Sequence, residues 1–142
     1  MVTSSTLWEF SMKKLVALAL IALSSTAFAE SDWILVAQNV EKTYTVFAQR
    51  QSGELKTTRG GQQVYVGRFQ IVDKAQTTFH QIYVKPTDCV AGFGQMTWLD
   101  MAGNFQFNLD FNLAGSTISA AEARILCTAW AAGEKAKSDA SI

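Results

Sequence analysis

One stretch limits the fold of this chain more than any other. Phe105, Phe107, Leu109 and Phe111 alternate with Gln106, Asn108, Asp110 and Asn112. Successive side chains of an extended backbone point to opposite sides. A period of two with one apolar register is therefore a strand that buries one face and leaves the other to water or to a polar partner. Slipping the register by one residue would expose three phenylalanines, so the pairing of this strand is firmly specified. Its polar face makes Gln106, Asn108 and Asp110 candidate partner-binding residues.

Other segments carry the same signal at shorter range. Trp33 to Ala37 is apolar and β-branched and reads as a buried first strand, and Thr43 to Ala48 as a second. Gln49 to Gln62 is polar, contains Gly53 and Gly60-Gly61, and reads as a loop. Gln63 to Val72 places Tyr65, Phe69 and Ile71 on one face. Gly67 among them predicts a bulge or a close approach by another segment. After a turn over Asp73 to Gln76, Thr77 to Lys85 points Phe79 and Tyr83 one way and His80, Ile82 and Val84 the other, and Pro86 ends it. Gly92-Phe93-Gly94 reads as a turn into a strand over Phe93 to Leu99. Asp100 to Asn104 reads as a hairpin loop that leads into the alternating strand.

The pattern then changes period. Ser119-Ala120-Ala121-Glu122 has the form of a capping box, and the spacing predicts a helix from about Ala120 to Ala132 with Gly133 as its stop. Ile125, Leu126, Cys127, Ala129 and Trp130 fall on one arc of it. From Glu134 to Ile142 the chain is a polar tail. Several strands followed by one amphipathic helix predict an α+β domain: an antiparallel sheet of about six strands with one helix packed on it.

Upstream, Lys13-Lys14 precede an apolar run from Leu15 to Leu23, and Ala27-Phe28-Ala29 follows. Charged, apolar and small-residue regions in that order predict a signal peptide over residues 1–29. Residues 1–11 read as an extension ahead of Met12, a second candidate start, or as a long charged region. The run is shorter than the roughly 20 residues a membrane helix needs, and no later stretch is long and apolar enough. One domain is then expected over residues 30–133, exported to the periplasm or beyond. Residues 30–142 carry ten basic and eleven acidic residues, a net charge of −1. They have no basic run to gather nucleic acid. Arg59, Arg68 and Lys74 lie near aromatic residues, but alternation scatters them over both faces.

Cys89 and Cys127 are the two cysteines of the 142 residues. In an oxidising compartment such a pair is expected to form a disulfide. Their spacing is far from a redox C-x-x-C, and His80 alone cannot complete a four-ligand zinc site. Catalytic signatures are missing: there is one histidine, and no nucleophile elbow, phosphate loop or zinc-protease motif. Asp100 and Asp110 flank one hairpin, where a turn-forming Asp is the ordinary reading. No cofactor is expected. The residues leave binding as the expected role, including strand addition at an unpaired edge.

The order of several marks resembles the surface-adhesin protein E-like family of small exported Gram-negative proteins. These are the Trp-led first strand (Trp33-Ile34-Leu35-Val36), Thr87-Asp88-Cys89 before the hairpin, the hairpin Trp98-Leu99-Asp100-Met101-Ala102-Gly103-Asn104, and Ile125-Leu126-Cys127 in the helix. Two features differ: Gln49-Arg50-Gln51-Ser52 stands where relatives often carry Asp-x-x-Ser, and no lipobox cysteine is present. The resemblance implies an antiparallel sheet, a packed helix, a Cys–Cys bond and adhesion to a host or envelope protein. The alternative expectation is an inhibitor of a lysozyme-type enzyme, with Arg59 as an anchor on the loop from Gln49 to Gln62.

Overall fold

The computed structural model describes residues 32–141. The signal-peptide expectation for residues 1–29 lies outside them. Seven strands form one antiparallel sheet. They are β1 (Trp33–Gln38), β2 (Tyr44–Gln49), β3 (Glu54–Thr57), β4 (Gln63–Asp73), β5 (Gln76–Val84), β6 (Phe93–Leu99) and β7 (Phe105–Asn112). A short helix, α1 (Pro86–Ala91), joins β5 to β6, and a long one, α2 (Ile118–Ala140), closes the chain. The α+β architecture expected from the sequence is the one found.

The strand order is β1-β2-β4-β5-β6-β7. Strand β3 lies inside the segment read as loop. It pairs with β4 over Gln63 to Val66, beyond the point where β2 leaves off at Phe69. The four residues Glu54 to Thr57 are too short and too polar to announce a strand. The partner strand supplies what the sequence does not, an unsatisfied backbone edge. Between β2 and β3 the edge of β4 is patched by Ser52: the Arg68 N–H donates to its Oγ at 3.0 Å, and that hydroxyl donates to the Gln49 carbonyl at 2.9 Å.

Odd-numbered residues of β4 face α2. Leu126 presses so close to Gly67 that an added Cβ would meet its Cδ2 at 2.9 Å. Glycine stands mid-strand because the helix needs that space. The core on this face runs from Val46 through Phe69, Ile71, Ile82 and Val84 to Met96, Trp98 and Phe111, capped by Ala123, Leu126 and Cys127 of α2. The first strand is not buried as expected: β1 is an edge, and Leu35 is 57 % exposed.

The alternating strand also departs from its pattern. Phe107, Leu109 and Phe111 pair with Trp98, Met96 and Gly94, but the register shifts between Trp98 and Leu99, and Phe105 pairs with Leu99. Directly opposed residues share a face. The shift therefore sends Phe105 to the side away from α2 and brings Gln106 round to the helix side. There the His80 Nδ1–H donates to the Gln106 amide oxygen at 2.8 Å. A bulge reversed one phenylalanine that simple alternation had placed in the core, and on this edge strand Phe107 and Leu109 stay 41 % and 38 % exposed, so Phe111 alone of the four is buried.

The helix begins earlier and ends later than its sequence signals. The cap is Thr117, whose hydroxyl accepts the Ala120 N–H at 3.1 Å. Ser119 is not the cap, so Glu122 is not the reciprocal partner of a capping box. It lies in the buried face of α2, 1 % exposed, with Oε2 unpartnered. Gly133 does not stop the helix, which runs on to Ala140 through the segment read as tail. Glycine ends a helix only when the chain takes a left-handed turn there. That turn is found at Gly92 instead, with φ 86° at the end of α1. Pro86 occupies the first turn of α1, where its missing N–H costs nothing. Cys89, on α1, is bonded to Cys127, with Cα atoms 5.4 Å apart. The disulfide therefore ties helix to helix.

The hairpin between β4 and β5 turns on Lys74 and Ala75, with φ of 47° and 68°. Two consecutive left-handed residues form the tight turn that suits the twist of a hairpin, and Asn-Gly is its natural occupant. Each ordinary residue held there costs about 1 kcal/mol. Lys74→Asn with Ala75→Gly is expected to stabilise the domain by about 1 kcal/mol and raise its melting midpoint by several degrees. An unchanged or lower midpoint in a thermal melt would show that the turn carries no strain.

Candidate functional site

Even-numbered residues of β4 point away from α2, and no helix lies on that face among the described residues. Yet Val64 and Val66 are 3 % and 5 % exposed. The register explains their neighbours. Val66 is opposite Glu54 on one side and Tyr83 on the other, and Val64 is opposite Lys56. Tyr83 is opposite Thr97, and Gln81 is opposite both Arg68 and Leu99. The sheet curls about this set until β3 and the β6–β7 turn line the same hollow. The Gln81 side-chain amide donates to the Met101 carbonyl at 3.2 Å, fixing the turn to the floor.

The hollow has two lobes that share Lys56, Val66 and Gln81. One, about 200 Å³, is polar, with Ser52, Glu54, Lys56, Arg68 and Met101 around it. The other, about 280 Å³, is floored by Val64, Val66 and Tyr83 and walled by Leu99, Ala102 and Gly103. Lys56 Nζ lies 3.1 Å from Glu54 Oε1. Among the described residues the Arg68 guanidinium has no hydrogen-bond or ion-pair partner. The lobe thus holds one neutralised cation and one that is not.

The candidate residues taken from the sequence divide. Asn108 and Asp110 share the face of the hollow, but each is engaged across the strand pair. The Thr97 hydroxyl donates to Asn108 Oδ1 at 2.7 Å, and the Gln95 amide donates to Asp110 Oδ1 at 3.1 Å. Gln106 has been turned to the other face by the bulge. Arg59 sits exposed in the turn between β3 and β4, on the opposite flank of β4 from β7. The four do not form one site. The loop expected to carry Arg59 as an anchor is a short hairpin turn, because β3 occupies its centre.

His80 is engaged at both ring nitrogens. Its Nδ1–H donates to Gln106, its Nε2 is 2.9 Å from Thr78 Oγ1, and its ring lies 5.1 Å from that of Trp98. Phe107 stacks on the Trp98 ring at 5.0 Å, and the Trp98 Nε1 is buried without a hydrogen-bond partner among the described residues. Asp100 accepts the Asn104 N–H at 2.8 Å and its side-chain amide at 3.0 Å. These bonds hold its carboxyl below the ordinary range, the opposite of what a general acid needs. It is a turn residue, as its position in the hairpin suggests.

On the helix side a second cleft of about 160 Å³ opens where β2 gives way to β3, between Ile34, Tyr65, Phe69, Ile125 and Ala129. It is mainly apolar and half open. No group of three or more metal-ligating side chains occurs among the described residues, and no helix there is long and apolar enough to cross a membrane.

Comparison with known proteins finds no matching protein family, curated protein or solved structure. The hollow therefore stands on its geometry. One sequence signal pointed to it: β4 is apolar on both faces, with Val64 and Val66 opposite Tyr65, Phe69 and Ile71. A strand wetted on one side needs no valines there. The polar wall left no such trace, because β3 was not legible.

Proposed function

We propose that this chain is an exported, non-catalytic binding protein of the adhesin-like type, and that it holds a partner protein in the hollow on the face away from α2. The observation that carries this reading is the hollow itself: a concave surface with an apolar floor and a charged wall, on a sheet face that no described element covers. Specific binding sites combine these properties, an apolar seat with a few polar groups that set orientation. The disulfide supports export, since such bonds form and persist in oxidising compartments. The ordered sequence marks shared with the adhesin family support adhesion to a host or envelope protein.

The test is a panel of immobilised extracellular-matrix and envelope proteins, probed with the mature domain and with Lys56→Glu/Met101→Asp. Both positions are exposed, so the fold should be kept, which near-ultraviolet circular dichroism checks. Retention by a panel member that falls tenfold or more in the double variant is expected. Silence across the panel, or retention indifferent to the variant, counts against the reading. A lysozyme inhibition assay run beside it addresses the alternative. Inhibition that is lost in Arg59→Ala, with the panel silent, would put the inhibitor reading in its place.

A further inference from the structure

We infer that the hollow takes an extended peptide segment carrying an acidic side chain and, two residues away, an apolar one. This rests on the binding reading above and specifies its ligand. Three observations lead to it.

The first is charge. Lys56 is already paired with Glu54, whereas Arg68 has no partner among the described residues. A guanidinium offers a planar fork of donors that matches a carboxylate. The complement of the polar lobe is therefore an anion, and a single one.

The second is chemistry along the strand. Arg68 and Val66 lie two residues apart on the same face of β4. Tyr83 is opposite Val66, and Gln81 is opposite Arg68. The anionic seat and the apolar seat are thus side by side, one strand repeat apart. An extended chain rises about 3.3 Å per residue, so its residues two apart present side chains about 7 Å apart on one side. An acidic residue over Arg68 and an apolar one over Val66 and Tyr83 match that period.

The third is form. The two lobes share Lys56, Val66 and Gln81, so they make one trough. An extended backbone can lie along a trough, and one of its N–H groups can donate to the side-chain oxygen of Gln81, whose nitrogen is held by the Met101 carbonyl.

The experiment is a nitrogen-15 NMR titration of the mature, disulfide-bonded domain at low salt. The probes are three hexapeptides blocked at both ends: one with Asp and Leu two residues apart among serines, one with Asn for Asp, and one with Ser for Leu. The Asp–Leu peptide is expected to shift the amides of residues 64–68 and 81–83, and to bind at least fivefold tighter than either counterpart. Its affinity should weaken as ionic strength rises, since the charges are near solvent. Arg68→Gln should erase the Asp-over-Asn preference, and Lys135→Gln, exposed on α2 away from the hollow, should leave it. Any of four results overturns the inference: no shifts at millimolar peptide, equal affinity for Asp and Asn peptides, shifts confined to the cleft beside Ile125, or a preference that survives Arg68→Gln. Should the panel partner still depend on Lys56 and Met101, only the acidic-peptide specification is lost. Silence in both experiments removes the binding reading as well.

Discussion

Breaking the Cys89–Cys127 bond is expected to cost the domain about 4 kcal/mol. The two cysteines are 38 residues apart in sequence. Cross-linking a chain over such a span removes much of the freedom of its unfolded state, and the cost of losing that restraint grows only slowly with span. Against a total stability of about 5–15 kcal/mol for a domain of this kind, the loss is a large share. Its local effect follows from where the bond lies. Helix α1 has six residues, none of them buried, so it has little apolar contact of its own to keep it in place. Urea unfolding of the oxidised protein, of the reduced protein and of Cys89→Ser/Cys127→Ser should show a lower midpoint for the last two. Amide exchange should accelerate first in α1 and in the turn of α2 that carries Cys127. Equal midpoints with and without reductant would show that the sheet and α2 hold themselves together unaided.

The second large effect is tied to pH. Burial of Glu122 under α2 raises its pKa from 4.5 to about 8. Removing a carboxylate from water disfavours its charged form, so the folded domain prefers the protonated acid. In the unfolded chain the same carboxyl ionises near its ordinary value. The folded state thus binds a proton more tightly than the unfolded state between those two values. Stability is greatest at and below about pH 4.5, falls as pH rises, and levels off above about pH 8. The full swing is about 3–5 kcal/mol. The same charge acts on Tyr44, whose phenol is raised by burial and, to a lesser degree, by Glu122 and Asp73. Urea midpoints measured from pH 5 to pH 8.5 should decline in the wild type. Glu122→Gln cannot ionise and should give a nearly flat profile that crosses above the wild type toward pH 8. A wild-type profile that rises over this interval would mean that Glu122 is charged and satisfied in the fold. The two effects reinforce each other, so reduced wild-type protein should unfold more readily at pH 8 than at pH 5.

Much of the scaffold was legible because its signals are local. Strand positions followed from alternation, the hairpin from Asp100 and Gly103, and the close approach at Gly67 from a glycine where a strand should carry a side chain. What escaped was decided by partners distant in sequence. Strand β3 forms because β4 offers it an edge. The bulge at Gln106 depends on how Leu99 meets Phe105 across the hairpin. Glu122 carried the signature of the reciprocal partner of a Ser119 cap, but Thr117, two residues earlier, is the cap, which left the carboxyl turned into the core. Gly133 looked like a terminator because glycine often is one. The helix ran through it because no left-handed turn follows.

The candidate site shows the same division. Polar residues on a strand face are easy to count, and Gln106, Asn108 and Asp110 were found that way. Whether such groups are available is a tertiary question. Thr97 and Gln95 engage Asn108 and Asp110 across the β6–β7 pair, since a polar side chain beside another at strand spacing gains by bonding to it, and His80 reaches Gln106 from β5, two strands away.

By itself the sequence determined the class of the fold, the chemistry of its two sheet faces and the residues able to form the one covalent bond. These depend on side-chain periodicity and composition, which the chain carries wherever it goes. Only the tertiary structure decided that the sheet curls, that β3 and the β6–β7 turn face each other across Val66 and Tyr83, and that the Arg68 side chain lies beside them with no partner among the described residues. Curvature is the sum of twist, bulges and packing over the whole sheet. No single segment encodes it, so neither does any segment encode the hollow it makes.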